Sequence, residues 1–570
     1  MGTTGSLTVD PKSVLERYKK VQQREYQVTC IKDIIDSINK GADVVIDLPT
    51  GTGKTLIYGP IVADVAETGR NALVLTATKQ AQRRVDLEIR RFKRKTQPAL
   101  IYGIQEYNCP VLKAKAQNWC CGELKEEQCK PNGIDCDVIK SEKIYAGSNL
   151  VITNFSKFLL ASTNRTYDII VLDDSHSFEN TKEQAYQIAI HFGPVRSFYE
   201  KGVQDALLRT LTESFLNLCS EIFERCVNPG EKEGIIAQEY VKRLAQLIPE
   251  ANEVHLRHEI TKLPEPLASL CWGIYYFIQR CKSSSKYQFF VRKDYYNLED
   301  WDSGELISRR DDILEFIIRK RFNDSKVILA TATPGDIKQH AMSCTLRDYD
   351  NMRLEKAPTA GSSFPEIENW FERLGVIIVD DIGDTRQINF FEKAINLATN
   401  ILENRKERAL VLFKNYRDQR SAFDILSKKF SPDKLFFIDV SLQDSDAIEK
   451  FASKTQISLA SASSTLWEGI NINGLRLAII VSPPFIRPHA GQTQRYPYFE
   501  RRMLIRLQQG IGRIIRSPTD FGVAVLTDNR FKKYVNRSMF SPKLREKVEI
   551  LKCNAVISRI SELFAKWRVS

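Results

Sequence analysis

At 570 residues and 43% hydrophobic content, the chain has the length for two to four domains and the material for large cores. No apolar run approaches the ~20 residues a membrane span needs, and the N-terminus lacks the apolar core of a secretory signal, so neither membrane insertion nor export is expected. The formal net charge of +12 favours a polyanionic partner, and a cytoplasmic, nucleoid-associated or nuclear setting makes the twelve cysteines reduced thiols or metal ligands rather than disulfides.

In chain order, GADVVIDLPTGTGKTLIYGPIVADVA reads as a strand, a glycine-rich turn and a helix, the arrangement that a phosphate-binding loop requires. Gly51 and Gly53, with Thr50 and Thr52, let backbone N–H groups wrap phosphates at a helix N-terminus. Lys54 would neutralise the β- and γ-phosphates and Thr55 would hold Mg²⁺, so ATP and Mg²⁺ are the expected ligands. Leu48 stands where the general consensus has its first glycine. NALVLTAT (71–78), SNLVITN (148–154) and YDIIVLDD (167–174) predict further buried strands of a parallel sheet with helices on both faces. Between the first two, RRVDLEIRRFKRK (83–95) carries seven basic and two acidic residues, either a solvated helix face or a polyanion contact.

Cys109, Cys120, Cys121, Cys129 and Cys136 interrupt this alternation and suggest a metal built into the domain. Asp173 and Asp174 end the apolar strand IIVLDDSH; Asp173 would bind Mg²⁺ through its water shell, and Asp174 would orient the attacking water beside His176. From 178 to 282 the apolar spacing is helical with no clear strand. There His255 and His258 lie three apart without an acidic partner at matching spacing, and WGIYYFIQ (272–279) reads as core. YQFFVR is expected to begin the return to the sheet, and SKVILATATPGD (325–336) to add a strand with a polar exit. After a connection at 344–373, GVIIVD, RALVLFKN, LFFIDV, ISLASAS, RLAIIVSPPF and GVAVLTD form a second alternation. A second basic stretch, RRMLIRL, leads into QQGIGRIIR (508–516). Spacing along a helix would put Gln509, Arg513 and Arg516 on one face, with both arginines reaching a γ-phosphate.

These residues resemble the superfamily 2 iron–sulfur DNA helicases of the DinG/XPD type. TATKQAQ (76–82) is similar to that family's motif Ia, ATATP to motif III, STLWEGININGLRLAIIVSPPF (464–485) to motif V and QQGIGRIIRSPTDFGVAVLTDNRF (508–531) to motif VI. NCP (108–110) and LVITNFSKFLL resemble the flanks of its cluster segment, and REYQ, ending at Gln27, resembles the adenine-reading motif. The resemblance implies an α/β fold of two RecA-like P-loop domains: the first from 1–102, 148–177 and 283–342, the second from 375–570, joined by a linker at 343–374. It implies a cysteine insertion at 103–147 and a helical arch at 178–282 within the first domain, and nucleotide contacts from Glu468 and Gly469. Cys109, Cys129 and Cys136, with Cys120 or Cys121, would hold a 4Fe–4S cluster; zinc or an unmetallated remnant are the alternatives. The activity implied is ATP-driven 5′–3′ movement on single-stranded DNA, opening duplex at forks in repair, replication or defence against foreign DNA, with accessory proteins as partners. An ATP-switched nucleic-acid-binding component and a remodelling translocase are the alternatives. The family usually has Asp-Glu-Ala-His where this chain has Asp173-Asp174-Ser175-His176, which leaves the rate of turnover open.

Overall fold

The apolar side chains of β1 (Asp43–Asp47) divide between two cores: Val44 and Ile46 pack on one face and Val45 on the other. A strand buried on both faces belongs inside a parallel sheet covered by helices, and that is its place in this computed structural model. The structure describes residues 7–569 apart from 20–23, 50, 93–97, 104–105, 110–113, 116–135, 161–164, 185–186, 228–232, 265–266, 293–303, 310–317, 319, 332–336, 346–352, 359–363, 365–366, 368, 370, 439–444, 463–471, 485–495, 518 and 536–541. The first sheet has seven parallel strands in the order β13 (Leu354–Ala357), β1, β12 (Lys326–Thr331), β7 (Ile169–Asp173), β2 (Ala72–Thr76), β6 (Leu150–Asn154) and β3 (Ala99–Ile101).

A second seven-stranded parallel sheet runs β16 (Leu435–Phe437), β17 (Ile457–Ser461), β15 (Arg408–Phe413), β18 (Leu475–Ile480), β19 (Gly522–Leu526), β14 (Leu374–Val379) and β20 (Val548–Leu551). Here too the side chains alternate between faces, Val376 and Ile378 entering one core and Ile377 and Val379 the other. All four are fully buried, each contributing about 1.5–3 kcal/mol of transfer free energy. Two such sheets are the doubled α/β architecture expected from the apolar runs.

Three expectations are corrected. YQFFVR does not return to the first sheet: β10 (Gln288–Arg292) pairs antiparallel with β9 (Glu233–Ile235) and β11 (Glu305–Arg309). With β8 (Ile188–His191) these make a four-stranded sheet, so the region after 178 is not all helical. β8 and β9 are four and three residues long, too short to establish a period of two against the helical patterns around them. The connection at 344–373 is also more than a linker, because β13 forms an edge of the first sheet against β1.

Helices Ala206–Cys226 and Leu267–Lys282 cover the antiparallel sheet, and Trp272, Phe277 and Ile278 lie in its core as WGIYYFIQ implied. Cys109 and Cys136 belong to the same apolar cluster. Cys109 closes β4 (Asn108–Cys109), which pairs with β5 (Ala114–Lys115), and Cys136 stands at the N-cap of the helix Asp137–Gly147. Among the described residues no helix is long and apolar enough to cross a membrane.

Candidate nucleotide site between the two sheets

β1 delivers the chain to the loop 48–53, whose Gly51 and Gly53 have φ of +88° and +80°. Side chains rarely adopt these left-handed values. Space reinforces conformation: a Cβ on Gly51 would lie 2.2 Å from the backbone oxygen of Arg516, and one on Gly53 2.7 Å from Gln27 Nε2. Gly53 caps the helix Lys54–Glu67, so Lys54 enters the site in the first helical turn. Lys54 is 9% exposed, and its ammonium donates to the carbonyls of Leu48 (3.2 Å) and Pro49 (3.3 Å). Desolvation lowers its pKa, opposed by the carboxylates of Asp174, Asp173 and Asp47 and assisted by the positive charge of Arg516.

Gln27, buried at 2% exposure, braces the loop from behind. Its Nε2 donates to the Thr52 carbonyl at 2.8 Å, the Tyr26 hydroxyl donates to the same oxygen at 2.8 Å, and Gln27 Oε1 accepts from the Tyr18 hydroxyl. The motif that REYQ resembles therefore lies against the phosphate loop.

β7 ends at Asp173, and Asp174 follows with φ of 53°, the one non-glycine residue in the left-handed region among those described. Aspartate tolerates this region better than most residues. Burial and the neighbouring Asp174 carboxylate raise the Asp173 pKa to about 7, against the pull of Lys54, Tyr58 and Arg84. Tyr58, one helical turn beyond Thr55, brings a wholly buried hydroxyl beside Thr55 and Asp173; nothing in the sequence marked it. His176 is buried, with Nδ1 3.3 Å from Thr331 Oγ1 and Nε2 against the Gln509 amide. With that amide donating, Nε2 is the acceptor and Nδ1–H faces Thr331, a tautomer that links the first sheet to the second.

The arginines after Gln509 correct the helical-face expectation. Their helix, Tyr496–Gly512, ends before either of them. Arg513 and Ile514 donate three residues back, to Gly510 and Ile511, and Asp520 accepts from the N–H groups of Arg516 and Ser517. Arg513 and Arg516 are thus presented from a tight turn, with the Arg516 backbone against Gly51 and its charge felt at Lys54. Gly51→Ala should lower ATP turnover by at least about tenfold, roughly 1.4 kcal/mol, because both the left-handed backbone and the Arg516 carbonyl oppose a methyl group. Steady-state hydrolysis beside a melting curve checks this, and wild-type turnover would show that the approach of Arg516 to the loop plays no part.

Residues 398–547 match the family model described as the helicase C-terminal domain, and residues 20–199 match that of the type III restriction enzyme, res subunit. A probable ATP-dependent helicase of Methanocaldococcus jannaschii is 23% identical over 97% of this chain and 99% of its own length. A 3′–5′ exonuclease DinG of Staphylococcus epidermidis is 22% identical over 47% of this chain and 34% of its own. Among solved structures, an XPD helicase superposes with a TM-score of 0.65 at 16% identity, covering 93% of this chain and all of that one. The chain belongs to the superfamily 2 helicases of the DinG/XPD type. Its two parallel sheets are the RecA-like domains of an ATP-dependent helicase, and ATP and Mg²⁺ are the ligands the family implies.

In this helicase Cys109 and Cys136 are buried, at 5% and 6% exposure, in one apolar cluster. Cys120, Cys121 and Cys129 lie outside the described residues, as do Thr50, Glu468 and Gly469. RRMLIRL is not a surface patch, since Arg501 and Arg502 are 6% and 7% exposed. The segment from Arg83 forms an amphipathic helix with Val85 and Ile89 buried and Arg90 paired with Asp86. His255 does have acidic neighbours: Asp205, from the start of another helix, and Glu259, one turn on. A sequence search for local spacing cannot find the first of them.

A cavity of about 280 Å³ opens at the C-terminal ends of β15 and β18, lined in part by Lys414, Asp418, Phe391 and Ser482. These adjacent strands continue in opposite directions, β15 toward β16 and β18 toward β19, a switch point of the kind where open parallel sheets take ligands. The Ser482 hydroxyl, 1% exposed, has no hydrogen-bond partner among the described residues.

Proposed function

We propose that this helicase moves 5′ to 3′ along single-stranded DNA and opens duplex at forks, with ATP held between its two sheets. The observation that carries the reading is the approach of the Arg513–Arg516 turn to the phosphate loop, because a nucleotide there touches both domains at once. The N–H groups of Gly51, Thr52 and Gly53 bind the phosphates, and Lys54 turns from the Leu48 and Pro49 carbonyls to the β- and γ-phosphates. Thr55 and Asp173 would hold Mg²⁺, which supplies neutralisation of phosphate charge; their side chains meet beside Tyr58, and hard oxygen donors suit that ion. Asp174 orients the attacking water, and Arg516 and Arg513 meet the charge that develops on the transferred group. His176 and Gln509 carry the state of the acidic turn across to the second sheet.

The positive net charge and the switch-point cavity, with Lys414 and a buried serine hydroxyl, support a path for a polynucleotide across the second domain. Cys109, Cys136, Cys129 and one of Cys120 or Cys121 would hold a 4Fe–4S cluster. Two buried cysteines in one apolar cluster fit such a group. The cluster would stiffen the insertion that meets the duplex.

ATP hydrolysis measured with and without single-stranded DNA tests the motor, and forked substrates with a single 5′ or 3′ tail test its direction. Stimulation of at least about tenfold and opening of only the 5′-tailed duplex are expected. Hydrolysis indifferent to DNA would leave the ATP-switched binding component as the better reading.

A further inference from the structure

The left-handed Asp174 is followed by a serine whose polar groups are all engaged. Ser175 N–H donates to the Ala330 carbonyl in β12 at 3.1 Å, and its hydroxyl lies 2.7 Å from His340 Nε2. Its carbonyl accepts from the Cys344 thiol at 3.5 Å and from the Phe178 N–H at 3.1 Å. Ser175, His340 and Cys344 are all fully buried. His340 and Cys344 sit one turn apart on the helix Ile337–Thr345, which follows β12 and packs against the helix that starts at His176. Two successive elements therefore hold one residue: β12 grips its N–H, and the next helix grips its hydroxyl and carbonyl.

The consequence falls on Asp174. A left-handed non-glycine residue persists only where its surroundings fix it. The constraint on its C-terminal side is Ser175, and on its N-terminal side the β7 ladder against β12. The Asp174 carboxylate, with those of Asp173 and Asp47, favours the charged form of Lys54 at the phosphate loop. It is also one methylene shorter than the glutamate usual in the family, so its reach depends on where the backbone puts it. Alanine at 175 would have no hydroxyl for His340.

We propose that His340 is a positioning residue for ATP hydrolysis, acting through the Ser175 hydroxyl to hold the turn that aims Asp174 at the attacking water. The proposal rests on the reading of Asp174 given above.

The test compares His340→Leu, Ser175→Ala, the double variant and His340→Gln with Asp174→Asn as reference. Each is measured in the full chain with saturating single-stranded DNA for kcat, KM for ATP and melting temperature. Either single substitution should lower kcat at least about fivefold with KM for ATP within about twofold. Removing both partners of the Ser175–His340 pair spares the unsatisfied buried hydroxyl or imidazole nitrogen that either single substitution leaves within it. The double variant should therefore melt near the wild type and still turn over slowly, no worse than the singles. His340→Gln, which keeps a hydrogen-bonding group near the Nε2 position, should recover most of kcat. A double variant with wild-type kcat, while Asp174→Asn is inactive, overturns the proposal alone, since the pair would then only satisfy itself. Asp174→Asn with wild-type turnover overturns the reading of Asp174, and the proposal with it.

Discussion

Replacing Arg516 with alanine should lower ATP turnover on the order of 10³-fold while nucleotide affinity changes by only a few-fold. In the structure the positive charge of Arg516 disfavours protonation of Lys54, so two cations face one small volume between the sheets. Their coexistence is favourable when a polyphosphate lies between them, and most favourable when charge moves to the equatorial oxygens of the transferred group. Lys54 begins the helix into which the loop leads, on the same domain as the loop, and follows the phosphates through binding. Arg516 arrives from the other sheet on a turn pinned by Asp520, so its contribution depends on closure and appears mainly in kcat. Arg516→Lys should recover little, because an ammonium lacks the planar fork that grips two oxygens. Arg513→Ala serves as the comparison for a buried neighbour in the same turn, 7% exposed. Single-turnover hydrolysis and equilibrium binding of a fluorescent nucleotide separate the two quantities. Turnover by Arg516→Ala within about threefold of wild type would remove it from the hydrolytic machinery.

The parts of this site that were legible in the sequence are those whose chemistry is local. The phosphate loop needs glycines at fixed offsets, and Gly51 and Gly53 have the left-handed backbone that explains them. The sheet strands were legible because burial on both faces makes each a continuous apolar run, as in Ile169–Asp173 and Leu374–Val379. What local pattern could not convey was termination and long-range pairing. QQGIGRIIR has helical spacing throughout, yet the helix stops at Gly512, and Asp520 accepts from the N–H groups of Arg516 and Ser517 in the turn that follows. β8 and β9 find partners in β11 and β10, far along the chain, so their short runs carry no signal of their own. His340 was invisible for the same reason: a buried histidine beside a serine 165 positions away leaves no motif. The left-handed backbone at Asp174 was equally hidden, although it bears on the departure from glutamate that the sequence did expose.

Cys136→Ser should abolish strand separation on forked DNA while DNA-stimulated hydrolysis stays within about threefold of wild type. Cys136 occupies the N-cap of the helix Asp137–Gly147 with an extended backbone, φ −107° and ψ 123°, and its side chain makes no capping hydrogen bond. Serine is among the best residues at such a position, worth about 1 kcal/mol over a non-capping side chain. On local grounds the substitution should preserve the helix or strengthen it, so loss of function would not come from loss of the helix. The buried thiol has another partner to serve: it shares an apolar cluster with Cys109 and with the helices Ala206–Cys226 and Leu267–Lys282, so a group bridging the two cysteines would sit against those helices. Hydrolysis has no such dependence, because Lys54, Asp173 and Arg516 meet between the two parallel sheets. Protein purified without oxygen should be brown and carry iron, and Cys136→Ser and Cys109→Ser should each lose the colour. Colourless wild-type protein with bound zinc would assign the thiolates to zinc instead, while iron retained in both variants would take these two cysteines out of the ligand set.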